Sequence, residues 1–401
     1  MMVEDRRFSY DGLWSAKAAR PAVRGRGAGG TRIDFAGGRP DPASFPYEAL
    51  AEAARRVLAK DGAAALNYGE AQGFVGLREL LAQKYRRDEG ARVDPDNFLI
   101  TNGSAHALEL IVEALVEPGD PVITEAPTWM GAVHAFRVQR AEILTVDLEP
   151  DGLNIHQLEG HLRRLKAQGR RAKFIYTIPT FQNPAGMTMS LAKRRRLLEL
   201  AVEYGTPVVE DDAYGDLRFE GEPQPSLLGL DDQGAVIKMG TVSKILAAGL
   251  RIGWIIAPKE VINHFMTVKL DGGTNPFVSR VAAEYLREHM DGHIAELIGV
   301  YRRKRDAMLG TLGEYAPGEC RWTRPEGGFF LWMWLPPGTS LERLSEACAR
   351  RGVGFMPGTA CYPDGRGGDA IRLAYSFPTV EEIREGTRLL CEAIREAQTG
   401  A

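Results

Sequence analysis

From residue 97 the chain repeats one pattern, a short apolar run followed by a run of helical period. FLIT leads into HALELIVEALVEPGD, and PVITEA, EILTVD, KFIYTI and PVVED follow, each separated from the next by a helical stretch. Strands alternating with helices over this many units predict an α/β fold, a mostly parallel sheet with helices on both faces. In such sheets ligands bind beyond the carboxyl ends of the strands. Four polar or glycine-containing clusters, TNGSA, EAPTW, PTFQNPAG and EDDAYG, each follow a predicted strand. All four are therefore expected to converge on one crevice.

On either side the pattern changes. YEALAEAARRVLAK (47–60) and LRELLAQKYRRDEG (77–90) read as helices joined by the loop ALNYGEAQG, the second stopping at Gly90. ARPAVRGRGAGGTR (19–32) is rich in Gly and Arg without periodicity and reads as a loop or mobile lead-in. After VKLDGGTNPFVSR the helices lengthen; a hairpin-like GGFFLWMWLPPG (327–338), short strands at GVGFMPG and DAIRLAYSF, and a final amphipathic helix read as a second, smaller α/β domain. A chain of 401 residues exceeds what one core normally supports. The division expected is a flexible arm at 1–32, a segment at 33–60 packing with the small domain, a large domain at 61–290 and a small C-terminal domain at 291–401.

Composition excludes several classes of function. A net charge of −3 lacks the basic excess of a nucleic-acid or anionic-membrane surface, although residues 1–32 carry seven basic against three acidic side chains. The four cysteines, Cys320, Cys348, Cys361 and Cys391, show neither CxxC spacing nor a paired framework, which points to inert thiols in a reducing compartment and to no metal site. No apolar run approaches the roughly 20 residues that span a bilayer, and MMVEDRRFSYDGLW has no apolar core for a secretory signal. A cytoplasmic protein is expected.

The stretch GTVSKILAAGLRIGW (240–254) sets Lys244 and Arg251 in a run that is otherwise small and apolar. A single lysine beside a helix start usually faces solvent. Lys244, however, has Val242, Ile245, Leu246, Ala247 and Ala248 as neighbours, and apolar surroundings depress a lysine's pKa and make its amine a nucleophile for carbonyls. Thr241, Ser243 and Arg251 offer hydroxyl and guanidinium donors suited to a phosphate. Asp211 and Tyr214, in VVEDDAYGD, could form an ordinary turn. They could equally hold a pyridine nitrogen protonated and bond a ring hydroxyl, the partners that pyridoxal phosphate needs to act as an electron sink. Asn183 stands in an Asn-Pro loop, Trp129 could be simple core, and Gly103, Ser104 and Ala105 open a helix whose backbone N–H groups make a plausible anion cradle.

In chain order the sequence thus offers a phosphate-binding helix start, an aromatic plate, an Asn-Pro loop, Asp-x-x-Tyr, and Ser-Lys with Arg seven residues on. In these motifs the chain resembles the fold-type I, class I/II aminotransferases that use pyridoxal phosphate, over about residues 33 to 395. DFAGGRPDPASFP and NYGEAQGFVGLREL are most similar to the subgroup with 2-aminoadipate and kynurenine aminotransferases. The resemblance implies the type I transferase fold, a homodimer with active sites at the subunit interface, and small-molecule amino acid and 2-oxo acid substrates. It makes Lys244 the Schiff-base lysine that also moves the substrate α-proton, Asp211 the partner of the pyridinium, Tyr214 and Asn183 donors to the ring O3′, and Trp129 the stacking plate. Phosphate is expected at Ser104 and the Gly103 to Ala105 backbone, with Thr241, Ser243 and Arg251, and with Tyr68 reaching over from the neighbouring subunit. Arg372, in AIRLAYSF, matches the arginine that grips the substrate α-carboxylate, and Gly38 a loop glycine beside it.

Trp129 stands where Tyr or Phe is frequent, Ala105 lacks a donor often supplied near the phosphate, and Thr241 replaces a common Ser. Arg372 could instead face solvent from the polar side of its strand. Arg39 could meet the distal carboxylate of an acidic donor or be a solvated loop residue, and Phe181, Trp129 and Tyr68 would suit aromatic or long aliphatic side chains. A pyridoxal-phosphate lyase, synthase or amino-acid oxidase would keep the same residues. A regulator fusing a DNA-binding domain to such a fold would need more chain than residues 1–32 supply.

Overall fold

A computed structural model describes residues 12–18 and 31–399. The arm and lead-in expected at 1–32 therefore lie mostly outside the described residues. The chain opens with β1 (Ile33–Asp34), α1 (Tyr47–Ala65) and α2 (Val75–Glu89). α2 stops at Gly90, which takes the left-handed conformation at φ 65° and returns its N–H to the Tyr85 carbonyl.

The alternating region folds as β2 (Phe98–Thr101), α3 (Gly103–Leu115), β3 (Pro121–Ala126), α4 (Met130–Val138), β4 (Glu142–Glu149) and β5 (Gly152–Leu153). It continues through α5 (Ile155–Ala167), β6 (Ile175–Thr177), α6 (Leu191–Tyr204), β7 (Val208–Asp211), α7 (Leu227–Leu230), β8 (Val236–Thr241), β9 (Gly253–Ile256) and α8 (Lys259–Val268). The eight strands form one sheet in the order β2-β9-β8-β7-β6-β3-β4-β5. β4, β3, β6, β7 and β8 are mutually parallel, and β9 is antiparallel to both β8 and β2. β2 thus runs with β8, and Thr101, Ala126, Thr177, Asp211 and Thr241 end their strands on one side of the sheet.

β9 escapes a reading based on alternation. The link after Thr241 is too short to carry a crossover helix, so the next strand must return antiparallel. The two faces of the sheet are sorted by the period-2 rule: Phe174, Tyr176, Val209 and Met239 pack in one apolar layer, Ile175, Val208 and Val236 in another. Each such side chain contributes about 1.5–3 kcal/mol by leaving water.

The rest of the chain supplies α9 (Pro276–Tyr315), β10 (Arg321–Trp322), β11 (Phe330–Trp334), α10 (Leu341–Arg350), β12 (Val353–Gly354), β13 (Met356–Pro357), β14 (Ala370–Ala374) and α11 (Val380–Thr399). An antiparallel sheet of order β10-β11-β14-β13 results, and β1 pairs in parallel with β12. GGFFLWMWLPPG is one central strand of that sheet and not a hairpin by itself; the hairpin is made by β10 and β11. Among the described residues no helix is long and apolar enough to cross a membrane, and no group of three or more ligating side chains could hold a metal. The four cysteines are buried and unpaired.

One ion cluster braces the sheet from within. Lys238 on β8 is 0% exposed, with its amine 2.7 Å from Asp212, 2.9 Å from Glu89 and 3.8 Å from Glu210. Burial opposes its charge, but the carboxylates outweigh burial and hold its pKa well above the ordinary lysine value. Lys238→Met should cost about 3–5 kcal/mol, because it strands buried carboxylates without a countercharge. The urea midpoint measures this, and an unchanged midpoint would show that the cluster does not brace the sheet.

Candidate active site

The strand ends carry the side chains singled out above. After β8 the chain makes a π-helical turn over Ser243–Ala247 and a 3₁₀ turn over Ala248–Leu250, and Arg251 follows at φ 52°. Lys244 therefore sits in a widened turn, not at the start of an α-helix. Its amine donates to the Gly38 carbonyl at 2.9 Å and lies 5.7 Å from the Tyr214 ring centre and 5.5 Å from that of Phe329. Burial above all, then the Arg372 and Arg251 charges, pushes its pKa down to about 8, with Asp211 pulling the other way.

Asp211 ends β7 and is enclosed. Its Oδ2 accepts the Tyr176 phenol proton at 2.6 Å, while its Oδ1 has no partner. Burial raises its pKa to about 6, against the Tyr176 bond. Tyr214 is buried beside Phe329 and Phe330, at 5.4 and 5.5 Å between ring centres.

Arg372, on β14, is only 5% exposed, which excludes the solvent-facing alternative. Its Nη1 donates to Asn183 Oδ1 at 2.9 Å, its Nη2 to the Ala36 carbonyl, and its Nε is buried without a partner. The guanidinium lies 4.4 Å from the Phe330 ring centre, and Phe330 in turn fills the space where a Cβ on Gly38 would stand. No carboxylate pairs with Arg372 among the described residues. It is a dry cation facing neutral oxygens, a strong bias toward an anionic ligand.

The start of α3 forms the other end. Asn102 gives it no side-chain cap, so its first-turn N–H groups at Ser104 and Ala105 are left for other partners. Gly103 sits at φ 82°, where a Cβ would come within 2.6 Å of Arg251 Nη2; a Cβ on Gly253 would lie 2.7 Å from the Ser104 nitrogen. Both glycines let Arg251 and the backbone close up, and Arg251 Nη2 donates to the Asn102 carbonyl at 3.1 Å. Thr241 and Ser243 share a 2.8 Å hydrogen bond beside them, and Thr241 donates to the Ile252 carbonyl at 2.9 Å. The Thr241 hydroxyl thus braces the loop.

Three expected residues lie differently. Arg39 is paired with Asp34 at 3.0 Å and stacks 3.9 Å from the Phe377 ring centre, so its charge is already engaged. Tyr68 is 90% exposed, beside Leu66 and Leu270 at 73% and 94%. The Trp129 indole lies against Gly131 and lines a groove between α3 and α4 with Ala105, Leu108 and His134.

Sequence reading missed the supports. Besides Tyr176, Glu125 is buried at the end of β3 and accepts from Thr177 at 2.8 Å, the Ile178 N–H at 3.0 Å and Gln182 at 2.9 Å. Gln182 also donates to the Pro127 carbonyl and accepts from the Ala185 N–H, which fixes the loop carrying Asn183. An acid closing an apolar strand, as in PVITEA, was the available signal; Tyr176 in KFIYTI reads as core.

The family model described as aminotransferase class I and II matches residues 32–390. The chain is 41% identical to the aromatic-amino-acid aminotransferase 1 of Thermococcus litoralis, over 91% of this chain and 88% of that protein. Two solved structures superpose closely. A multiple substrate aminotransferase from Thermococcus profundus gives a TM-score of 0.94 at 38% identity, covering 98% of this chain and 100% of that one. An α-aminoadipate aminotransferase from Thermus thermophilus, complexed with N-(5′-phosphopyridoxyl)-L-leucine, gives 0.90 at 37% identity, covering 97% and 99%.

A depressed lysine has a reactivity that can be read directly. A small aldehyde should capture Lys244 at a rate that reaches its plateau above pH about 8, whereas exposed lysines keep gaining reactivity toward about 10.4. Reductive trapping and peptide mapping report both, and a Lys244 profile parallel to that of surface lysines would count against its burial as a neutral amine.

Proposed function

The chain belongs to the class I and II aminotransferases, and we propose that its Lys244 crevice exchanges an amino group between an L-α-amino acid and a 2-oxo acid, with 2-oxoglutarate as acceptor, in two successive half-reactions at one site. Pyridoxal phosphate, the cofactor of these enzymes, supplies an aldehyde that takes up an amine and a protonated ring that draws electrons from the substrate α-carbon. Three features of this chain suit that molecule: the unpartnered Asp211 Oδ1 suits a ring N–H, the uncapped start of α3 beside Arg251 suits a phosphate, and Lys244 suits the aldehyde.

The observation that carries the reading is the buried, uncompensated Arg372 fork facing the same crevice as Lys244. Arg372 binds the substrate α-carboxylate in two places and so fixes the α-hydrogen, a positioning task a lysine's point charge performs less well. The Lys244 amine takes the proton from the α-carbon and returns it on the other side of the exchange. Asp211 keeps the ring nitrogen protonated. Asn183 gives its oxygen to Arg372, which leaves its NH₂ group, with the Tyr214 phenol, to donate to the ring hydroxyl oxygen. Ser104, the Gly103–Ala105 backbone, Ser243 and Arg251 hold the phosphate, with Thr241 as their brace, and Trp129, whose indole lies in the groove between α3 and α4, turns from there to cover the ring.

The exposed Tyr68, with Leu66 and Leu270, is the surface offered to a second copy, whose phosphate pocket Tyr68 completes. We read residues 61–290 as the cofactor domain and 291–401 as the small domain; the pairing of β1 with β12 supports placing the start of 33–60 with the latter. Substrates are aromatic, long aliphatic or 2-aminoadipate-like, and the aromatic lining at Tyr214, Phe329 and Phe330 suits the first two.

The test is a half-reaction without oxygen or acceptor. The cofactor-loaded protein mixed with a single amino acid should yield one 2-oxo acid per site, and added 2-oxoglutarate should then leave as glutamate. Free ammonia, or product formed only on admitting oxygen, would move the reaction to a lyase or an oxidase. Lys244→Ala should lower turnover by about 10⁴-fold or more, and near-normal turnover in that variant would refute its role. Arg372→Ala should lower kcat/KM for α-amino acids on the order of 10²-fold while sparing the thermal midpoint, since no carboxylate is stranded; unchanged kinetics would remove its assignment.

A further inference from the structure

β6 and β7 are parallel with Tyr176 opposite Val209, so by the two-residue alternation Tyr176, Val209 and Asp211 share one face of the sheet and Glu210 and Asp212 the other. On that face the two oxygens of Asp211 differ: Oδ2 accepts from the Tyr176 hydroxyl at 2.6 Å, and Oδ1 is buried with no partner. The phenol has little freedom to move. Tyr176 is 0% exposed and its ring meets Phe136 edge-on at 5.7 Å, with Phe174 packed on the far side of Phe136 at 5.6 Å.

We propose that Tyr176 is a positioning residue for Asp211: by holding Oδ2 it turns Oδ1 toward the cofactor ring nitrogen and keeps the carboxylate ionised. The inference rests on the reading of this crevice as a pyridoxal phosphate site. A buried carboxylate must find donors or take up a proton. Tyr176 supplies one charge-assisted O–H donor, roughly twice as strong as a neutral hydrogen bond. A cofactor N–H would supply the other.

The surrounding groups do not replace it. Lys244 favours the ionised form of Asp211 and Asp212, next in the chain, opposes it; Glu125 nearby has its own pKa raised to about 7, by burial above all and in smaller part by the Asp211 charge. Tyr214, three residues on, is buried with its pKa above the usual phenol value and stays neutral. Burial remains the largest influence on Asp211 and holds its pKa at about 6 even with the Tyr176 bond in place. Without that bond the pKa moves further up, and a protonated Asp211 meets the ring nitrogen as a neutral partner. Because the folded value is raised, ionisation is opposed as pH climbs toward it, so the cofactor-competent form is lost at low pH and lost sooner without the phenol.

Tyr176→Phe keeps the ring and its contact with Phe136 and removes one oxygen. The experiment is equilibrium dialysis of pyridoxal phosphate against the full-length protein stripped of cofactor, across neutral and alkaline pH, for wild type, Tyr176→Phe, Asp211→Asn and the double variant. Tyr176→Phe should bind about tenfold more weakly near neutral pH, the deficit should narrow as pH rises, and no further loss should appear in the Asp211→Asn background. A loss that is equal at every pH, or equally large beside Asp211→Asn, would make Tyr176 a packing residue, and an unchanged Kd would remove it from the site. Should the Phe variant fail to fold, a fluorinated tyrosine at 176, of similar shape and a stronger donor, should extend tight binding to lower pH, and no change there would overturn the proposal. Wild type that does not bind pyridoxal phosphate at all would instead strike the functional reading, and this inference with it.

Discussion

Charge held where water does not reach is the constraint around which this structure is arranged. Asp211 and Arg372 are withdrawn from solvent and Lys244 is half-buried, and each is left partly unpaired: an amine on one carbonyl, a carboxylate with one free oxygen, a guanidinium on neutral acceptors. None of these is comfortable alone, since a buried ion without a full set of partners costs several kcal/mol. Together they offer an unfilled acceptor oxygen, an amine of lowered pKa and a cation without a carboxylate partner among the described residues.

Holding such groups in place requires a stiff surround, and the fold supplies it on both faces of the sheet. Behind Asp211, its chain neighbours Glu210 and Asp212 point the other way into the Lys238 cluster, so the strand is pinned by charge on one face while Asp211 is presented on the other. The loop that carries Asn183 is clamped by Gln182 to Glu125 and Pro127. Gly103 and Gly253 allow the start of α3, Arg251 and the end of β8 to approach more closely than any side chain would permit. Arg372 comes from the second sheet, on β14, and its bond to Asn183 ties that sheet to the loop after β6.

Residues whose chemistry is unusual for their surroundings were legible in the chain: a lysine among small apolar residues, Asp-x-x-Tyr after a buried strand, an arginine inside AIRLAYSF. So was the direction of most strands, because alternation with helices leaves a parallel sheet as the economical solution. Residues that look ordinary were not. Tyr176 sits in KFIYTI as any core tyrosine would, and only the β6–β7 register reveals that its hydroxyl ends on Asp211. β9 was missed because its direction follows from the length of a link and not from any local pattern. Arg39 looked available because a sequence cannot show that Asp34 and Phe377 already occupy its charge.

The sequence by itself determined which groups exist and their order: Lys244, Asp211, Tyr214, Asn183, Arg372, and the helix start at Gly103, together with the period-2 and helical runs that place them after strands. Those properties are local, set by side-chain chemistry and by backbone geometry over a few residues. The tertiary structure decided their states: which oxygen of Asp211 is free, that the Lys244 amine is pushed down to about 8, that no carboxylate among the described residues pairs with Arg372, and that Asp34 pairs with Arg39. Desolvation and pairing are sums over neighbours from distant parts of the chain, and those neighbours are fixed only when the two sheets close over one another.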